Sequence, residues 1–138
     1  MNALYAATAV ALGDGRNGHV QSSDGLLDTP VQTPKELGGT GGATNPEQLF
    51  AAGYAACFHQ VIKLVGTRTK ADTSDSEVVA DVTLLKQLDG TYSLAAQLEI
   101  TLPNLDRAES EELVAEAHQI CAYSNATRGN IKVKLSIV

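Results

Sequence analysis

The residues in this chain best suited to covalent chemistry are its two cysteines, Cys57 and Cys121, which lie far apart in the sequence. They show no C-x-x-C clustering, and His19, His59 and His118 match no familiar zinc spacing, so nothing in the pattern calls for a metal. Two readings of the thiols remain open: inert buried side chains, which is the default for free cysteine, or a working redox pair, which a reducing compartment permits when the disulfide is transient. A cysteine reacts as thiolate and needs positive charge or hydrogen-bond donors beside it. The neighbours of Cys57 are Ala55, Ala56, Phe58 and His59, so a reactive Cys57 must take its charge from elsewhere in the fold. Arg16, placed in a turn, is the first candidate and Arg128 the second. An arginine beside apolar helix also needs a carboxylate to hold it, and Glu47 is available.

Stepping along the chain, Leu4 to Leu12 suggests a strand ending at the turn Gly13-Asp14-Gly15. The turn continues through Arg16-Asn17-Gly18, and His19 to Ser22 returns as the partner strand. After the turn Ser23-Asp24-Gly25 comes a short extended stretch, Leu26 to Gln32, and then an irregular glycine-dense loop, Glu36 to Gly42. That loop fits neither the P-loop nor the dinucleotide fingerprint. A long helix follows, capped by Thr44 or Asn45, with Pro46 in its first turn, Glu47 at the positive end of its dipole and Gly66 at its close. Leu49, Phe50, Ala52, Ala56, Cys57 and Val61 leave almost no polar face, so this helix belongs in a core or an oligomer interface. Val78 to Leu85 and Tyr92 to Leu102 read as a hairpin through Asp89-Gly90. Arg107 to Ile120 reads as an amphipathic helix, the segment Ala122 to Asn130 as a connection, and Ile131 to Val138 as the last strand. The expected architecture is one α+β domain over residues 1–138, with antiparallel sheet packed on two helices.

Helix geometry adds a constraint. Glu47 and Cys57 are ten residues apart, about 15 Å along a straight helix. One guanidinium serving both requires either a bend, for which Gly53 offers a place, or two subunits. The two-subunit arrangement suits a helix without a wet face.

With 43% hydrophobic and 19% charged residues the chain is of globular type. Its net charge of -6 and its lack of basic runs argue against nucleic acid as a partner. No apolar stretch is expected to approach the roughly 18 residues that cross a bilayer. Met1 to Leu12 lacks the basic leader of a signal peptide, so the expected compartment is the cytoplasm.

Three segments resemble the organic hydroperoxide resistance proteins, the Ohr branch of the OsmC/Ohr superfamily. They are Thr33-Pro34-Lys35-Glu36-Leu37-Gly38-Gly39, the run Asn45-Pro46-Glu47-Gln48-Leu49-Phe50-Ala51-Ala52-Gly53-Tyr54-Ala55-Ala56-Cys57-Phe58, and His118-Gln119-Ile120-Cys121-Ala122-Tyr123-Ser124-Asn125-Ala126-Thr127-Arg128-Gly129-Asn130. The resemblance implies an intertwined α+β homodimer, with antiparallel sheets around long central helices and sites at the subunit interface. It also implies a peroxidase that reduces alkyl and lipid hydroperoxides. In this reading Cys57 is the peroxidatic cysteine and Cys121 the resolving one. Arg16 activates the thiolate and Glu47 orients Arg16. No cofactor is bound, and dihydrolipoamide or a lipoylated protein partner reduces the disulfide. Phe50, Phe58 and Tyr123 are candidates to line an apolar substrate channel. The chain departs from the family pattern at Ala122, where proline usually follows the resolving cysteine, and in a turn before Arg16 about one residue longer. Two other functions compete: a non-enzymatic redox-sensing module using the same thiol pair, and an OsmC-type peroxidase of broader peroxide use.

Overall fold

In the computed structural model, which describes all residues from Met1 to Val138, the chain forms two compact units, Met1–Leu49 and Phe50–Val138. The boundary falls inside the long helix α1 (Pro46–Thr69).

The first unit is an antiparallel sheet of β1 (Ala9–Asp14), β2 (Asn17–Ser22) and β3 (Asp28–Val31), in that order. The first strand begins later and runs further than the sequence suggests, because the glycines assigned to the turn continue the ladder. Gly13 pairs with Gly18 and Asp14 with Asn17, leaving only Gly15 and Arg16 as the loop. A Cβ on Gly18 would stand 2.0 Å from the Leu12 carbonyl oxygen, so only glycine allows the strands this close. Gly15, at φ 64°, supplies the positive φ that a two-residue hairpin loop needs at its first position, which puts Arg16 at the hairpin tip. After β3 a single 3₁₀ turn, Lys35–Leu37, ends at Gly38 with φ 86°. Asn45 caps α1: its Oδ1 accepts the Gln48 N–H at 2.9 Å.

The second unit holds most of α1, then β4 (Glu77–Lys86), β5 (Tyr92–Thr101), α2 (Arg107–Ile120), α3 (Ala122–Thr127) and β6 (Val133–Ile137). The fold class is α+β, as the sequence implies, with one correction to the antiparallel sheet. β4 and β5 pair antiparallel, but β6 joins the other edge of β5 in parallel. The whole α2–α3 segment intervenes, a connection long enough to carry the chain back to the same end of the sheet. Tyr54, Phe58, Ile62 and Val65 from α1 pack with Leu98 and Ile100 from β5 and Leu113, Val114 and Ala117 from α2. Asp106 caps α2, accepting the Glu109 N–H at 2.8 Å.

Three local expectations change. Gly66 does not end α1, which continues to Thr69. Gly66 is buried mid-helix because Thr73 folds back over it, and an added Cβ would lie 2.5 Å from Thr73 Cγ2. The connection after Cys121 contains a six-residue helix, α3. And α1, with 24 residues and an 18-residue window of mean hydropathy 1.3, does reach the length and composition of a membrane span. Its apolar face is used instead to form the core of the second unit, as in many central helices of globular domains.

Candidate active site

The hairpin tip and the start of α1 bring together the first pair of sequence candidates. Arg16 Nη1 donates to Glu47 Oε2 at 2.7 Å and Arg16 Nη2 to Glu47 Oε1 at 2.6 Å. This is the bidentate fork in which a guanidinium fits a carboxylate best. The arginine's hydrogen bonds hold the Glu47 carboxyl below its ordinary value, against partial burial that pushes the other way. The guanidinium is thereby fixed in direction while a third of its side chain stays accessible, at 34%.

The second pair lies in the other unit. Cys57, on α1, has its Sγ 3.4 Å from Cys121 Sγ at the junction of α2 and α3. Both are free thiols, Cys57 half-buried and Cys121 fully buried. A disulfide needs about 2.05 Å between sulfurs, so closing one asks for a shift of roughly 1.4 Å. Burial is the main cause that pushes the Cys121 thiol above its ordinary value. The Ser124 backbone N–H and hydroxyl pull it down, and Cys57 beside it adds to the rise.

Behind Cys121 lies a buried polar network that the sequence does not announce. Ser124 Oγ is 2.8 Å from Tyr54 Oη and 2.9 Å from His118 Nδ1. Tyr54 Oη is also 3.4 Å from Thr127 Oγ1. Cys121, Ser124 and Thr127 recur every three residues on the buried side of α3. That spacing is a signal only when the segment is recognised as helical. Burial, then the charge of Arg128, holds the His118 imidazole below its ordinary value.

The remaining candidates fall elsewhere. Phe58 is wholly buried in the core rather than lining open space. Phe50 and Tyr123 meet edge to face, with centroids 5.9 Å apart, and Tyr123 is 37% exposed. Arg128 donates to Asn125 Oδ1 at 2.6 Å and to the His118 carbonyl, which makes it a clamp on the turn after α3. The other histidines are engaged apart, His19 with Asp28 and His59 with Ser76. A cleft of about 510 Å³ lies between the end of α1 and α2, lined by Val65, Lys70, Leu113 and Glu116 among others, and none of the site residues borders it.

Comparison with known proteins places this arrangement. Residues 39–136 match the family model described as OsmC-like protein. An organic hydroperoxide resistance protein of Xanthomonas axonopodis pv. citri is 48% identical over 97% of this chain and 94% of its own length. A crystal structure of an organic hydroperoxide resistance protein from Legionella pneumophila superposes with a TM-score of 0.94 at 49% identity, covering 99% of this chain and 98% of that one. The OhrB protein of Bacillus subtilis superposes with a TM-score of 0.89 at 43% identity, covering 99% and 100%.

Proposed function

This chain belongs to the OsmC-like protein family, among the organic hydroperoxide resistance proteins, and on that premise we propose that it is a cysteine peroxidase protecting the cytoplasm against organic hydroperoxides. The observation that carries the mechanism is the pair of free thiols 3.4 Å apart on α1 and at the α2–α3 junction. Cys57 thiolate attacks the distal oxygen of the hydroperoxide. The O–O bond breaks, the alcohol leaves, and Cys57 becomes a sulfenic acid. Cys121 attacks that sulfur, water leaves, and the Cys57–Cys121 disulfide forms. A dihydrolipoyl group, free or on a lipoylated protein, then reduces it by thiol–disulfide exchange. Arg16, held by Glu47, supplies the positive charge that favours the thiolate and polarises the peroxide. Alkyl and lipid tails gain about 0.8 kcal/mol per methylene buried against apolar surface, a gain hydrogen peroxide lacks. Phe50 and Tyr123 are the aromatics placed to offer such surface.

The working form in this proposal is a homodimer with sites drawing on two chains. Apolar residues left open in the single chain support it: Leu4, Val10 and Leu12 in the first unit, and Leu64 of α1 in the second, where Ala52 and Ala56 are open as well.

The test mixes reduced protein with tert-butyl hydroperoxide and follows consumption with dihydrolipoamide, then with thioredoxin, beside Cys57→Ser. Turnover with dihydrolipoamide alone, lost in Cys57→Ser, is the expected result. A single oxidation without turnover would give the thiol pair a sensing role instead.

A further inference from the structure

Attack by Cys121 requires its thiolate, yet the residue is fully buried, and that burial pushes its thiol above the ordinary value. A base must take its proton as it reacts. The network behind it has the connectivity to do so, since each of its hydroxyls can both donate and accept. Thr127 Oγ1 has the Tyr123 carbonyl at 2.9 Å and the Ser124 carbonyl at 3.2 Å as acceptors, so its one proton is engaged by the backbone. The direction that serves Cys121 has Tyr54 give its one proton to Ser124 Oγ, at 2.8 Å the shorter of its two contacts. In that direction the serine's own proton goes to His118 Nδ1, at 2.9 Å, and Ser124 Oγ keeps a lone pair for the Cys121 thiol, which its hydroxyl already acts on.

We propose that Ser124 and His118 form a proton relay that draws the proton from the Cys121 thiol while its sulfur attacks oxidised Cys57. Ser124, three residues on and buried beside Cys121, is the residue that takes the proton; His118 acts through it. The thiol proton passes to Ser124 Oγ as the serine proton passes to His118 Nδ1. The serine hydroxyl, now turned, donates to the thiolate. The new Sγ–Sγ bond forms as the Cys57 sulfur–oxygen bond breaks, and the departing hydroxide takes a proton from solvent. Half-exposed His118 returns its proton to solvent, so one water is released overall. His118 is suited to this task by its surroundings. It faces the Tyr54 phenol of α1 across Ser124, the Cys121 thiol of the α2–α3 junction through the same serine, and the Arg128 guanidinium beyond α3. Burial and that guanidinium keep it neutral, with an acceptor free, at neutral pH.

The sulfenic acid in this step rests on the peroxidase reading, but the relay can be tested without a peroxide. Ellman's reagent converts half-exposed Cys57 to a mixed disulfide, releasing one thionitrobenzoate; attack by Cys121 then releases a second. That leaving group needs no proton, so the second release reports only on deprotonation of Cys121. In the wild-type chain its rate is expected to rise with pH through the histidine range and level off. In Ser124→Ala and His118→Asn the plateau is lost, the rise moves up into the thiol range, and the rate at pH 7 falls by roughly tenfold or more. The first release stays unchanged. Asparagine keeps an acceptor at the Nδ1 position but cannot take a proton, so a wild-type profile in His118→Asn overturns the relay. A loss equal at every pH also overturns it, by making the role structural. Repeating the variants with one equivalent of tert-butyl hydroperoxide separates the two readings. Slow disulfide formation with accumulating sulfenic acid supports both; no oxidation by peroxide, with the Ellman profiles as expected, sinks the peroxidase and keeps the relay.

Discussion

The fork between Arg16 and Glu47 makes the clearest demands at the level of single side chains. Glu47→Gln keeps the shape but removes the charge that holds the guanidinium, and peroxide turnover is expected to fall roughly ten- to a hundredfold, measured as kcat/KM for tert-butyl hydroperoxide. The same pair has a pH signature. Because the folded-state pKa of Glu47 is lowered, its contribution to stability is full above the ordinary carboxylate value of 4.5 and is lost as pH falls through the lowered folded value. Denaturant unfolding of wild type and Glu47→Gln should therefore converge in acid. His118 shows the same sign for a different reason. Its neutral form is favoured by burial, so the folded state resists protonation. Stability from this residue is full above 6.5 and declines below it, as the unfolded chain takes up the proton first. Wild type is expected to lose more stability than His118→Asn between pH 7 and 5.

Individual elements carry their own consequences. The α2–α3 junction holds Cys121 at φ -60° and ψ 125°, the extended conformation that a following proline prefers. Ala122, next to it, is exposed and is the first residue of α3, where a missing N–H costs nothing. Ala122→Pro is therefore compatible with the fold and is expected to stabilise it by about 0.4–1 kcal/mol, seen as a rise in Tm. It should also speed the second thionitrobenzoate release, by stiffening the segment that presents Cys121. Within α1, Gly66 serves close packing rather than termination. Gly66→Ala drives a methyl into Thr73 and is expected to cost about 1–3 kcal/mol despite alanine's better helix propensity. Thermal unfolding measures the sign directly.

At the scale of the whole molecule, large apolar side chains are left open in the single chain. All six residues of β1 are exposed, with Val10 at 49% and Leu12 at 57%. Light scattering coupled to size exclusion is expected to give twice the chain's 14.4 kDa. Leu12→Asp, which puts a charge in that surface, should shift the mass toward one chain and lower peroxide turnover with it. A monomeric mass for the wild type would instead require a site built within one chain.

Much of this was legible before any coordinates. The apolar runs Val78–Leu85 and Tyr92–Leu102 with the turn Asp89-Gly90 between them marked a hairpin, and the acidic start and apolar stripe of Arg107–Ile120 marked a helix with its observed bounds. These are local signals, set by side-chain periodicity. Cys57, Cys121, Arg16 and Glu47 could be named because each carries chemistry in its own side chain and sits in long family-like segments. What the sequence left open was decided by contacts between distant residues. Gly13, Gly18 and Gly66 read as turns or ends, but in the fold each permits a close backbone or side-chain approach that no local pattern encodes. The parallel placement of β6 depends on where a long connection returns the chain. The distance between the two sulfurs, and the serine and histidine behind one of them, exist only because α1 packs against the α2–α3 junction, so that Tyr54 meets residues seventy positions later.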